Sequence, residues 1–290
     1  MTRLSAPVAD EGMLATERLR VSHLRTRPPS ATAPKVLLLG GSNFDLRLKR
    51  SFLHTSLAAQ CELATYEPRG IGRTDQPDGP WVMEDYARDA LAVLDALGWP
   101  EAIVVGESFG GMTALHLALM APSRIQRLVI ASAGAGGPHH ASFDISTLLR
   151  LPRDQAAHVA LFLQDTRNAL LCREQPDVFA ERLAERLDFE TAFETPSVTN
   201  GGYARLLKAR QQHDCTRQLS KITIPTTVIA GCFDRQAPPE VQRALADRLP
   251  NADFHLFEAG HSVLFGLPDA TQTALDAIMR TNVQQPQLQK

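Results

Sequence analysis

Short, uninterrupted apolar runs alternate with stretches whose apolar residues recur at helical spacing, and this alternation fills the first half of the 290-residue chain. Val36, Leu37, Leu38 and Leu39 are apolar on both faces, as a strand in the middle of a parallel sheet must be, and Gly40 and Gly41 end the run. Residues 63–66 repeat the strand signal before a turn region over 67–75 that Pro and Gly punctuate. Tyr86, Ala90, Val93, Leu94 and Leu97 then recur at i, i+3, i+4 spacing, which predicts a helix over 83–97 stopped by Gly98. A strand over 102–106, an apolar helix over 110–121 and a strand over 125–132 form a compact strand-helix-strand unit. From 138 to 221 the pattern changes to helical pieces carrying Phe143, Leu148, Leu149, Phe162, Phe179, Leu183, Phe189 and Phe193, with no strand run. Strands over 226–231 and 254–257 and helices over 239–249 and 268–279 then resume the α/β alternation. The pattern therefore predicts an α/β core over 13–137 and 222–281, a helical cap inserted at 138–221, and flexible termini at 1–12 and 282–290.

Composition narrows what such a domain does. With 44% hydrophobic and 21% charged residues the chain has material for a substantial core, and a formal net charge of -2 offers no broad positive face for nucleic acid or an acidic membrane. No apolar run approaches the roughly 20 residues that span a bilayer, and residues 1–12 lack a signal-peptide core, so the expected location is cytoplasmic. The four cysteines, Cys61, Cys172, Cys215 and Cys232, lack the paired spacing of a zinc site and the density of a disulfide framework, and are read as free thiols. No metal or organic cofactor is implied. The expected partner is a small-molecule substrate, with the protein a monomer or homo-oligomer.

The chemistry concentrates at strand ends. Residues 106–111 read G-E-S-F-G-G, a G-x-S-x-G turn between a strand and a helix, which points to Ser108 as a nucleophile. Gly106 and Gly110 suit a strained turn against which a helix must pack closely. The helix N-terminus directs unpaired N–H groups towards developing negative charge, so the Phe109 N–H is a natural oxyanion donor. A serine hydroxyl needs a base, and among nine histidines His261 is the best placed, in the E-A-G-H loop after the strand over 254–257. Asp234, just beyond the strand over 226–231, is the matching acid, although an Asp before a helix is equally well a cap. His213 sits at the cap edge, where hinge capping competes with substrate contact. Glu107 is read as turned away from the site into structural hydrogen bonding.

The order Ser108, Asp234, His261, with the motifs around it, resembles that of α/β-hydrolases with a cap, and is similar to the branch containing 3-oxoadipate enol-lactone hydrolases. The likeness runs from about Glu17 to Met279. Residues 69–75, R-G-I-G-R-T-D, look like the family's R-G-x-G-x-S-D loop with Thr74 in place of serine, and residues 225–239 look like its acid-bearing strand and loop. The resemblance implies a mostly parallel eight-stranded α/β-hydrolase sheet flanked by helices. It departs at Gly40, where the family usually has His, and at Glu67, where Asp is more usual. By position the Ser42 N–H is the second oxyanion donor, since the hole needs a backbone group rather than an imidazole. Gly41, Asn43, Phe44 and His213 are candidates for the substrate pocket, while most cap phenylalanines are assigned to the cap's own core.

The expected reaction is hydrolysis of a small carboxylic ester or lactone through a Ser-His-Asp triad and an acyl-enzyme, an esterase-like or lactonase-like activity. Serine rather than Asp at the turn argues against dehalogenase and epoxide-hydrolase chemistry. A carbon-carbon bond hydrolase, a lyase or a perhydrolase on the same triad remains an alternative, as does a non-catalytic receptor that keeps the pocket.

Overall fold

Side chains along a strand point alternately to the two faces of its sheet, and the apolar strands divide accordingly. In β3 (Lys35–Leu39) Val36 and Leu38 join one buried cluster and Leu37 and Leu39 the other; in β5 (Ala102–Glu107) Ile103 and Val105 part from Ala102 and Val104 in the same way. A computed structural model describes residues 5–280. In it β1 (Ala9–Ala15), β2 (Arg20–Thr26), β4 (Glu62–Tyr66), β6 (Ile125–Ala131), β7 (Thr226–Gly231) and β8 (Ala252–Phe257) complete an eight-stranded sheet of order β1-β2-β4-β3-β5-β6-β7-β8. The β1–β2 and β2–β4 pairs are antiparallel and every other pair is parallel.

One cluster lies under α1 (Met83–Ala96), α2 (Phe109–Met120) and α7 (Pro239–Arg248), and the other under α8 (Pro268–Arg280) and the short helices Ser56–Gln60 and Val263–Gly266. The mean direction of chain progress reverses between neighbouring β3 and β5, so their carboxyl ends open a crevice where α/β sheets bind ligands. Above that crevice the chain between β6 and β7 carries helices only, among the described residues: chiefly α3 (Arg153–Gln164), α4 (Arg167–Glu174), α5 (Pro176–Phe193) and α6 (Gly202–Gln211). The aromatic residues of this insertion divide. Phe162 stacks on Phe179 at 5.6 Å with His158 against both, whereas Phe189 and Phe193 face a cavity.

One expectation needs correction. Residues 9–12 are not a free terminus, because β1 pairs along its whole length with β2, from Ala9 opposite Thr26 to Ala15 opposite Arg20. β1 is an edge strand of mixed polarity, and it draws its order from the ladder rather than from an apolar run. The flexible-terminus reading of 282–290 lies outside the described residues.

The R-G-x-G loop is anchored by charge. Arg69 donates from Nε and Nη2 to the two carboxylate oxygens of Asp89 on α1 at 2.6 and 2.7 Å, with both side chains buried, and Arg18 adds a third bond at 2.8 Å. Removing one partner of such a pair strands a buried charge. Asp89→Asn is therefore expected to lower the free energy of unfolding by roughly 3–5 kcal/mol in urea titrations, and a loss below about 1 kcal/mol would rule out this anchoring role.

Candidate active site

The turn between β5 and α2 holds Ser108 at φ 55°, ψ -117°, a conformation that L-residues adopt only when their surroundings enforce it. Small neighbours permit it. A Cβ on Gly106 would lie 2.7 Å from Gly111 Cα, and one on Gly110 would run into the Leu39 carbonyl, so α2 packs directly onto the ends of β5 and β3. The Ser108 N–H is tied to the Ala131 carbonyl on β6 at 2.8 Å. The hydroxyl is thus presented at the crevice with its residue only 5% exposed.

His261 comes to it from the loop after β8. Its Nε2 lies 2.9 Å from Ser108 Oγ and its Nδ1 lies 2.8 Å from Asp234 Oδ2. Asp234 has no exposure, and its other carboxylate oxygen accepts the Ala237 N–H at 2.8 Å, so the acid is oriented from both sides. The His261 loop is itself pinned. Its N–H donates to the Gln164 carbonyl at the end of α3 at 2.7 Å, and its carbonyl accepts the Ser132 hydroxyl. A carboxylate can only accept, so it fixes the proton on Nδ1 and leaves the Nε2 lone pair facing Ser108.

Ser42 and Gly41 lie on the loop after β3. A Cβ on Gly41 would stand 3.7 Å from Ser108 Cβ, and Ser42 and Ser108 line the same cavity of about 230 Å³. No hydrogen bond engages the N–H of Ser42 or Phe109 among the described residues. Glu67 shapes this loop: its two carboxylate oxygens accept the N–H groups of Leu46 at 3.0 Å and Arg73 at 2.7 Å, joining the β3 loop to the R-G-x-G loop. Burial pushes the Glu67 carboxyl upward, and those two N–H donors oppose the shift.

Of the pocket candidates, Gly41 and Asn43 line the cavity. Phe44 and His213 do not. Phe44 is 3% exposed and packs against Phe52, because its ring fills the space that any side chain at position 40 would need. His213 is buried against His116, Nδ1 to Nε2 at 3.0 Å, and its Nε2 meets the Gly134 carbonyl at 3.1 Å, so it is held away from Ser108. Glu107 also departs from expectation. It lines the cavity, and its Oε1 is buried without a hydrogen-bond partner.

Sequence reasoning missed three other neighbours. Gln236, two residues after Asp234, places its amide Nε2 2.8 Å from His261 Nε2, and its position in the acid loop was the available signal. Ser132, at the end of β6 with φ 53°, carried no motif. Lys49 lies on the cavity wall with its ammonium 5.2 Å from the Phe189 ring centroid and, among the described residues, no carboxylate within ion-pair distance. Burial pulls the Lys49 ammonium down and pushes the Glu107 carboxyl up, while their mutual attraction opposes both shifts.

A mostly parallel sheet with Ser, Asp and His converging from the ends of β5, β7 and β8 defines the α/β-hydrolase class, and comparison with known proteins places the chain within it. The profile of the alpha/beta hydrolase fold family matches residues 38–266, and the chain belongs to that family. A protein of Variovorax paradoxus provisionally named carbamate hydrolase RutD is 30% identical over 80% of this chain and 87% of its own length. The 3-oxoadipate enol-lactonase 2 of Acinetobacter baylyi is 28% identical over 74% of this chain and 77% of its own. Among solved structures, the enol-lactonase from Burkholderia xenovorans superposes with a TM-score of 0.76 at 25% identity, covering 92% of this chain and 100% of that one. The chain is accordingly an enzyme of the α/β-hydrolase family. No helix among the described residues is long and apolar enough to cross a membrane.

Gly40 and Phe44 form one unit, since the ring stands where a Cβ would go. Gly40→Ala is expected to cost about 1–3 kcal/mol by overpacking, and Gly40→Ala with Phe44→Ala is expected to cost less than the sum of the single changes. Strict additivity in a denaturant double-mutant cycle would refute the coupling.

Proposed function

We propose that the protein hydrolyses small carboxylic esters or lactones through an acyl-enzyme on Ser108. The observation that carries this reading is the single line of hydrogen bonds from Ser108 Oγ through both ring nitrogens of His261 to Asp234. His261 Nε2 takes the Ser108 proton as Oγ attacks the substrate carbonyl, and Asp234 stabilises the imidazolium so formed. The free N–H groups of Ser42 and Phe109 receive the oxyanion. His261 then gives its proton to the leaving alkoxide, and water, deprotonated by the same nitrogen, releases the acid. In a lactone the leaving alkoxide stays attached through the acyl chain, and the enol-lactonase relatives favour including this substrate form. The helices over 138–221 act as the cap, closing the cavity with Phe189 and Phe193.

The cavity wall favours a substrate that carries its own carboxylate. Arg153 pairs with Glu194, and Arg186 pairs with Glu190 at 2.7 Å, which leaves Lys49 as the cation among the described lining residues without an ion-pair partner. A substrate carboxylate would supply the hydrogen-bond acceptor that its ammonium lacks.

A fluorophosphonate probe is expected to label the wild-type chain and not Ser108→Ala, and equal labelling of the two would reject the nucleophile. Asp234→Asn is expected to cut kcat by about 10⁴-fold on whichever ester, lactone or carbamate proves the best substrate in a panel. Near-normal turnover would remove Asp234 from the triad. Lys49→Met is expected to raise KM for acid-bearing esters roughly tenfold or more, the size of a hydrogen bond to a charged group, while a neutral ester of equal length changes by less than about twofold. Equal effects on both esters would exclude carboxylate recognition by Lys49.

A further inference from the structure

A second group of reactive side chains lies where the two ends of the helical insertion meet. Residues 134–137 leave β6 and residues 213–215 return towards β7, and they run antiparallel: Cys215 N–H donates to the Ala135 carbonyl at 2.8 Å and Gly137 N–H to the His213 carbonyl at 3.0 Å, with a bridge between Gly136 and Asp214. His116 meets this junction from α2, the helix that begins beside Ser108. His116 Nε2 lies 3.0 Å from His213 Nδ1, which lies 3.9 Å from Cys215 Sγ, and the three atoms are within 4.8 Å of one another. All three residues are buried.

The far sides of both rings face oxygen, hydrogen-bonded for His213 and at ion-pair distance for His116. His213 Nε2 faces the Gly134 carbonyl at 3.1 Å, so it carries the proton and Nδ1 offers its lone pair to the cluster. His116 Nδ1 faces Glu84 Oε1 at 3.5 Å, and a proton on that nitrogen turns the Nε2 lone pair to the same point. Carbonyl or carboxylate oxygens behind the imidazoles are the arrangement that orients histidines towards a metal. The spacing suits one as well. Ligands about 2.0–2.3 Å from a tetrahedral zinc stand roughly 3.4 Å apart for two nitrogens and about 3.6 Å for nitrogen and sulfur, so from separations of 3.0 Å, 3.9 Å and at most 4.8 Å the two imidazoles would part and the thiol would draw in on binding.

We propose that His116 Nε2, His213 Nδ1 and Cys215 Sγ bind one zinc ion that clamps the returning end of the helical insertion, to which the outgoing end is joined by backbone hydrogen bonds, to the helix carrying the nucleophile. Binding displaces the Cys215 thiol proton to solvent and places the His116 proton on Nδ1, opposite Glu84. Zinc gains two imidazoles and a thiolate, and water takes the fourth position from the adjoining cavity of about 470 Å³ that His213 helps to line. No electron transfer or step on substrate is involved.

Cobalt is the spectroscopic probe. The full chain is expected to take up one equivalent of Co(II) with a near-ultraviolet thiolate-to-metal charge-transfer band, to lose that band in Cys215→Ser, and to keep it in Cys232→Ser. Zn(II) is expected to raise the Tm of wild type and leave that of Cys215→Ser unmoved. Absence of the band, or its persistence in Cys215→Ser, would overturn the assignment. Because a buried substitution can impair folding, X-ray absorption fine structure on the zinc-loaded wild type supplies a test without a variant. Nitrogen neighbours at about 2.0–2.1 Å with one sulfur at about 2.3 Å support the site, and a shell lacking sulfur excludes it.

Discussion

The backbone of Ser108 is the constraint on which the active end of the molecule depends. At φ 55°, ψ -117° the turn stores strain of order 1–3 kcal/mol, and it persists because the chain on each side has no freedom to relax. β5 is fixed in the centre of the sheet between β3 and β6, and α2 lies so close to the strand ends that Gly106 and Gly110 leave no room for a methyl group. The same closeness brings the β3 loop beside Ser108 and leaves the first N–H of α2 without a partner. One packing requirement therefore places the Ser108 hydroxyl and the unengaged Ser42 and Phe109 N–H groups side by side.

Around that fixed point, most polar groups are held by backbone groups or a short side chain, with Gln236 on His261 the long one. Asp234 is oriented by Ala237 N–H, Glu67 by Leu46 and Arg73 N–H, and the His261 loop by Gln164 and Ser132. Such partners carry little conformational entropy, so the geometry is set before substrate arrives. The substrate side of the cavity is built differently: Lys49 and Glu107 face it without hydrogen-bond partners, and their attraction acts through space. A preorganised Ser108, His261 and Asp234 thus stands beside a wall whose charged groups are incompletely paired among the described residues.

Much of this was legible from periodicity and loop position. The apolar runs located β3 to β7 and the principal core helices, because residues buried on both sheet faces have no polar option, while the half-buried edge strand β8 showed only over its last four residues. Ser108, Asp234 and His261 were legible because each follows a strand at the same sheet edge, and the structure brings their side chains together. The β1–β2 hairpin was not, since an edge strand owes its order to a partner elsewhere in the chain. Glu107 and His213 were misplaced for a related reason: the direction of a side chain near a turn depends on what packs above it, here the helical insertion. Lys49 left no trace, as a single lysine in a polar loop reads as solvated until a cavity forms over it.

The departure at Gly40 shows how a local exception can preserve a shared geometry. Where a histidine is usual, the chain has no side chain at all, and Phe44 from three residues beyond Gly41 turns inward to fill the volume. Filling with an aromatic ring is dry, so it supplies no hydrogen bond to steady the loop. Glu67 supplies it instead: a side chain one methylene longer than Asp reaches Leu46 N–H while still holding Arg73 N–H. Both departures thus bear on the same loop, Phe44 packing beneath it and Glu67 holding it from the side. A larger residue at position 40 would collide with the Phe44 ring, and loss of the Glu67 carboxylate would leave the Leu46 and Arg73 N–H groups without their acceptor, so each change would disturb the loop that carries Ser42 beside Ser108.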